Sequence, residues 1–179
     1  MKILSVMACL VLFSGCSVQS SQLSAVMGLF ETQDADLSLN GWSVKYANYE
    51  AIVYPVTMPQ GILFSNKAGD QVLFDGWSVR RVSGLGLRGQ EYQNSDIGDE
   101  RTFMRGSRTL AVHHCDKWQQ KQQSGKKQFS QYCEDVKAYS NSILVAEDGS
   151  ISVIRQVVDD RYNALTLTCL LYTSDAADE

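Results

Sequence analysis

Ile62-Leu63-Phe64-Ser65-Asn66-Lys67-Ala68-Gly69-Asp70-Gln71-Val72-Leu73-Phe74-Asp75-Gly76-Trp77-Ser78-Val79 is the stretch that decides the fold. Two short apolar runs flank a polar segment of hairpin length, Asn66 to Asp70. Asp75-Gly76 then separates the second run from Trp77-Ser78-Val79. Asp-Gly between apolar runs is the strongest short hairpin signal, because both turn positions favour positive φ. Two hairpins that share one strand predict a three-stranded antiparallel meander from Ile62 to Val82.

The same pattern extends both ways. Upstream, Trp42, Val44 and Tyr46 alternate, as do Ile52, Tyr54 and Val56. Pro55 to Pro59 is expected to end central pairing there, since proline cannot donate to a ladder. Downstream, Thr102 to Met104 and Thr109 to His113 read as short strands. Ile143-Leu144-Val145 and Ile151-Ser152-Val153-Ile154 flank Glu147-Asp148-Gly149-Ser150, another hairpin, and Ala164, Leu165 and Leu167 begin a last strand. Gln90 to Glu100 is polar and aperiodic. Near the start, Leu23, Val26, Met27 and Phe30 form one stripe of a short helix that Ser20 or Ser21 could cap. Its polar face lacks Lys and Arg, which favours packing on the sheet over lying on a membrane. The expectation is a mainly β protein, an antiparallel meander sheet arranged as a sandwich or open barrel, with one short N-terminal helix.

The two ends carry different information. Lys2 followed by the apolar run Ile3 to Phe13 has the form of a secretory signal, too short to span a bilayer. Phe13-Ser14-Gly15-Cys16 resembles the lipobox of bacterial lipoproteins, in which the cysteine becomes the first residue and carries the acyl chains, palmitate among them. Residues 1–15 are then a signal peptide and 16–22 a lipidated Cys16 with its linker. The run Cys169 to Glu179 resembles translated sequencing adapter, so the native chain is expected to stop near Thr168, in mid-gene. That leaves 23–168 as a single β-rich domain facing the periplasm, truncated at its end.

Composition narrows the partners. The whole chain has 16 Lys+Arg and 20 Asp+Glu, and trimming the two ends removes one lysine and three acidic residues. The near balance excludes the basic excess of a nucleic-acid binder. Of five cysteines, Cys115 and Cys133 remain in the body, an even pair in an exported chain, where a disulfide is expected. Such a bridge would contribute roughly 3 kcal/mol by the chain-entropy estimate.

Chemistry is sparse. Gly84-Leu85-Gly86-Leu87-Arg88-Gly89 matches G-x-G-x-x-G, yet no helix pattern follows and no acid stands about twenty residues on, so a dinucleotide is not expected. Arg101, Arg105 and Arg108, with Arg80 and Arg81, could face an anionic sugar or phosphate; a solvated strand face is the plainer reading of the first three. His113-His114-Cys115-Asp116 invites a metal, but neighbours on a strand face opposite ways and a disulfide removes the thiolate. No metal or cofactor is expected. Asp159-Asp160 beside Arg161 reads as a solvated turn. There is no Gly-x-Ser-x-Gly elbow, and the two histidines are adjacent, so no catalytic residue is assigned.

The order of short motifs resembles the YjbF/GfcB family of bacterial lipoproteins, tied to group 4 capsule and exopolysaccharide production. A short apolar helix is followed by Asp36, then Tyr49 and Ile52 as Tyr-x-x-Ile. Gly76-Trp77-Ser78-Val79-Arg80-Arg81-Val82-Ser83-Gly84-Leu85 is similar to the family's glycine and basic run, and Gly149 with Gln156 to its late Gly and Gln. The resemblance implies a non-enzymatic outer-membrane lipoprotein of β-rich fold, accessory to polysaccharide secretion or assembly. Ser17 after the lipidated cysteine lacks the Asp associated with inner-membrane retention. Partners would be the outer membrane through the lipid and export proteins or the polysaccharide itself. A structural lipoprotein contacting peptidoglycan or a membrane complex, and a hydrolase of envelope glycans or peptides, stay open as alternatives.

Overall fold

Alternating side chains and closely spaced turns produce thirteen strands among the residues described by the computed structural model, 41–123 and 126–170. They are β1 (Trp42–Tyr46), β2 (Tyr49–Met58), β3 (Gly61–Ser65), β4 (Gln71–Phe74), β5 (Val79–Ser83), β6 (Glu91–Ile97) and β7 (Glu100–Arg105). After these come β8 (Arg108–Cys115), β9 (Gln119–Gln123), β10 (Lys126–Glu134), β11 (Ala138–Val145), β12 (Ile151–Val157) and β13 (Ala164–Cys169). The Ile62–Val82 meander is present as β3–β4–β5, with Phe64 opposite Val72 and Val72 opposite Val82.

Every pairing is antiparallel. The meander runs from β1 to β8, passes to β10, and returns through β11, β12 and β13 to β1. The sheet therefore closes as a twelve-stranded barrel instead of remaining open or splitting into a sandwich. Closure removes the exposed edges that an open sheet would carry. β9 stands outside the ring, paired among the described residues with β10 alone. The shortest seam is β8–β10, with only Cys115 opposite Cys133 and His114 opposite Glu134 in register, and the Cys115–Cys133 disulfide staples it.

The interior has two halves. Val44, Val53, Phe64, Val72, Phe74 and Leu167 belong to the apolar half, each essentially sealed from solvent. Burial of a side chain of this size contributes about 1.5–3 kcal/mol before entropy is charged against it. The other half is polar: Asn94, Arg101, His113, Gln131, Asn141 and Gln156 are all buried. Gln156 joins the halves. Its Oε1 accepts from the Val79 amide at 2.9 Å and from Arg101 Nη2 at 3.2 Å, while its Nε2 donates to the Trp77 carbonyl at 2.6 Å. β12 and β5 lie six strands apart either way round the ring, so one side chain ties opposite walls.

Several local expectations change. Pairing does not stop at Pro55, which lies inside β2 opposite Phe64. Among the described residues β1 pairs β2 only as far as Val53, so no described strand on that side needs a donor from Pro55. Asp75-Gly76 does not make a two-residue hairpin. The Asp75 carboxylate accepts from the Trp77 and Ser78 amides, which draws both residues into a longer turn. Gln90 to Glu100, aperiodic in sequence, contains β6; Tyr92 and Asn94 face inward there, and the polar Asn94 hides the period. β13 extends through a buried Cys169, opposite Trp42. The expected helix at 23–30, Cys16 and residues 171–179 lie outside the described residues.

Candidate functional site

Two loops at one end of the barrel are each built around a single aspartate. Asp70 is 3 % exposed and organises the β5–β6 loop. It accepts the Leu85 amide at 2.6 Å, the Tyr49 hydroxyl at 2.8 Å and the Asn66 amide group at 2.8 Å. Leu85 is thereby drawn in as a buried plug. Gly84 passes so close that a Cβ would lie 2.7 Å from the Asp70 Cα, and its φ is +71°. Gly84, the first glycine of G-x-G-x-x-G, thus lets the loop pack tightly over Asp70. Leu87 and Gln90 amides then close successive turns onto Gly84 and Leu87 carbonyls, leaving Arg88 in solvent.

Asp159 organises the β12–β13 loop and is 1 % exposed, so it is no solvated turn residue. Its oxygens accept the Tyr46 hydroxyl at 2.5 Å, the Arg161 amide at 3.0 Å, and both the backbone and side-chain amides of Asn163 at 2.9 and 2.8 Å. Burial first, and then the bond to Asp159, push the Tyr46 hydroxyl far above its ordinary pKa. Tyr46 is therefore a fixed donor, and the carboxylate has its acceptor capacity engaged within the loop.

Between the two loops opens a cavity of about 330 Å3. Arg88, Arg105 and Arg161 line it, above Tyr46, Leu87 and Tyr92. Arg105 enters because it stands opposite inward-facing Tyr92 in the β6–β7 register. Its Nη1 donates to Gln90 Oε1 at 3.1 Å. Among the described residues none of the three guanidiniums is in an ion pair. The one carboxylate in the lining, Asp159, is already occupied, so the pocket offers unneutralised positive charge.

The five arginines singled out from sequence do not converge. Arg105 lines the pocket, and Arg108 is exposed at the adjoining turn, opposite Arg105. Arg80 is at the other end of the barrel, held by Asp75 at 2.5 Å and Asp96 at 3.2 Å. Burial acts to raise the Asp75 pKa, but the Ser78 and Trp77 amides and Arg80 outweigh it and hold the carboxyl below its ordinary value. Arg81 is 4.0 Å from Glu91. Arg101 is fully buried, paired with Asp96 at 2.9 Å, so it is not part of a solvated strand face. Arg88 and Arg161 are the additions. Each sits beside a motif read for another purpose, the glycine run and the Asp159-Asp160 pair, and nothing in a linear pattern brings those segments together.

His113 and His114 face opposite ways, as strand alternation requires: His113 is buried and His114 exposed. His113 Nδ1 lies 3.0 Å from the Tyr139 hydroxyl, its ring stacks on Tyr162 with centroids 5.1 Å apart, and Nε2 is 3.8 Å from Asp135. Burial lowers the His113 pKa, and Arg101 adds to that, while Asp135 and Asp160 oppose it. Burial pushes the Tyr139 hydroxyl up to about 12. At the opposite end from the arginine pocket, Trp77 is half exposed and packs against Trp118 and Phe129.

With fold and pocket in view, the chain can be compared with known proteins. No family model matches it, and no curated protein matches it in sequence. Its structure is similar to the crystal structure of the hypothetical lipoprotein YmcC from Escherichia coli (K12). The likeness has a TM-score of 0.55 and covers 86 % of this chain and 97 % of that one, at 12 % sequence identity. At that identity the shared property is the barrel fold.

Proposed function

We propose that this protein is a bacterial envelope lipoprotein, anchored through Cys16 in the outer membrane with its barrel in the periplasm. In this reading it acts without catalysis, as an accessory in exopolysaccharide or capsule secretion or assembly. The observation that carries the proposal is the arginine-lined pocket on a closed, stapled barrel. Arginine keeps its proton at all physiological pH, Tyr46 keeps its hydroxyl proton, and Asp159 is engaged by four donors. Such groups can hold an anionic partner but are poorly placed to shuttle protons, which general acid–base catalysis needs. The fold shared with a protein described as a lipoprotein and the lipobox-like leader support the envelope location.

The test has two arms. Cys16→Ala should move the protein from the membrane fraction to the soluble periplasm, and persistence in membranes would remove the anchor. Deleting the gene should reduce surface polysaccharide, and the intact gene supplied in trans should restore it. Unchanged polysaccharide would turn the reading toward a structural envelope protein, and an altered peptidoglycan profile would favour that partner.

A further inference from the structure

We infer that the pocket between the Asp70-held and Asp159-held loops binds a carboxylated sugar, a hexuronate unit of an acidic glycan. This deepens the proposed role and rests on reading the arginine pocket as its binding site. Three arginines line one cavity, and none has a carboxylate partner among the described residues, so their positive field is available to a ligand. A guanidinium presents its donors as a planar fork that matches a carboxylate with two parallel bonds, which a hydrated lysine cannot do. The cavity, about 330 Å3, is at the small end of ligand clefts. It is oversized for a lone inorganic anion and suits about one or two sugar rings.

The rest of the lining suits the ring that would carry the carboxylate. Tyr46, Tyr92 and Leu87 provide aromatic and aliphatic surface, and Gln90 and Asn163 provide side-chain amides of the kind that exchange hydrogen bonds with hydroxyls. The two loops are preorganised: buried aspartates fix the Leu85 amide and the Arg161 and Asn163 amides before any ligand arrives. Preorganisation reduces the ordering cost that usually weakens sugar binding. Asp159 repels a ligand carboxylate less than an unengaged carboxylate would, because Tyr46 and three amide donors already surround it.

The experiment is titration calorimetry on the detergent-solubilised full chain. The probes are a galacturonate trisaccharide, the matching neutral galactose trisaccharide and inorganic phosphate. The uronate should bind at least about tenfold more tightly than either comparator, one charge-assisted pair being worth roughly that ratio or more. Its affinity should fall as salt is raised, because the charges are partly exposed. Arg105→Gln should weaken uronate binding about tenfold, and Arg88→Gln and Arg161→Gln about three- to tenfold each. Arg108→Gln, outside the pocket, should stay within about twofold. Equal binding of the neutral trisaccharide would overturn acid recognition while leaving a polysaccharide role intact. Phosphate binding as tight as uronate would reduce the pocket to an anion site, and a loss at Arg108 equal to that at Arg105 would reduce it to diffuse surface charge. Absence of uronate binding would overturn the inference, whereas the gene-deletion phenotype tests the proposed role separately.

Discussion

Replacing Gln156 by leucine should cost about 3–5 kcal/mol, much of the 5–15 kcal/mol that stabilises a typical domain. The figure follows from what the side chain serves. Gln156 is fully buried, and its removal orphans the Val79 amide, the Trp77 carbonyl and the Arg101 Nη2 donor. A buried donor left unpaired costs about 1–3 kcal/mol, and one serving a charge costs more. The Trp77 carbonyl is the least expensive of the three, since its turn is partly open to water. Leucine is similar in size, so the loss is polar and not a cavity effect. Arg101 already has Nη1 without a partner, so a second deficit falls on a group with little slack. Urea unfolding of the oxidised protein, followed by tryptophan fluorescence, gives the number directly, and Trp77 sits on the affected turn. A second variant sharpens the test. In Gln156→Leu/Arg101→Met the buried charge leaves with its partner, so the double variant should be less destabilised than the two single losses summed. A Gln156→Leu cost under about 1 kcal/mol, or strict additivity, would refute the view that this side chain joins the barrel walls.

Reducing Cys115–Cys133, or converting both to serine, should cost about 3 kcal/mol and lower the melting temperature by roughly 6–12 °C, because the staple spans the shortest seam of the ring. Both cysteines should resist thiol labelling until reduced; an unchanged melt would show that the seam needs no staple. The His113 pKa is lowered in the folded state from 6.5, so the unfolded chain takes a proton that the barrel refuses. Stability should therefore be level above about pH 6.5 and fall below it, by up to about 1.4 kcal/mol per pH unit for this group. His113→Phe, which keeps an aromatic ring against Tyr162, should flatten that slope in melts between pH 7.5 and about 5.5; an identical slope would locate the sensitivity elsewhere. Gly84→Ala should destabilise by more than about 2 kcal/mol through left-handed strain plus collision with Asp70, whereas Gly69→Ala, with open space around it, should show only the strain, about 1 kcal/mol. Equal losses at the two positions would remove the close approach from the account.

The amino-acid sequence by itself determined the strand content, the β3–β4–β5 meander, the β11–β12 hairpin and the cysteine pair. Each is local or compositional: alternation has a period of two, turn residues mark the reversals, and an exported chain with paired cysteines tends to oxidise. Tertiary structure alone decided closure, because β13 meets β1 from the far end of the chain and β8 pairs with β10 past the intervening β9. It also decided which charges are inside. Arg101, His113 and Gln156 are buried, yet they look like surface residues in a linear pattern, and the buried polar Asn94 leaves β6 without a readable period. The pocket is hidden for the same reason. Arg88, Arg105 and Arg161 come from three segments that gather only when the ring closes, and two buried aspartates hold the loops that present them. Local chemistry writes strands and turns, but which surfaces face one another depends on register around the ring.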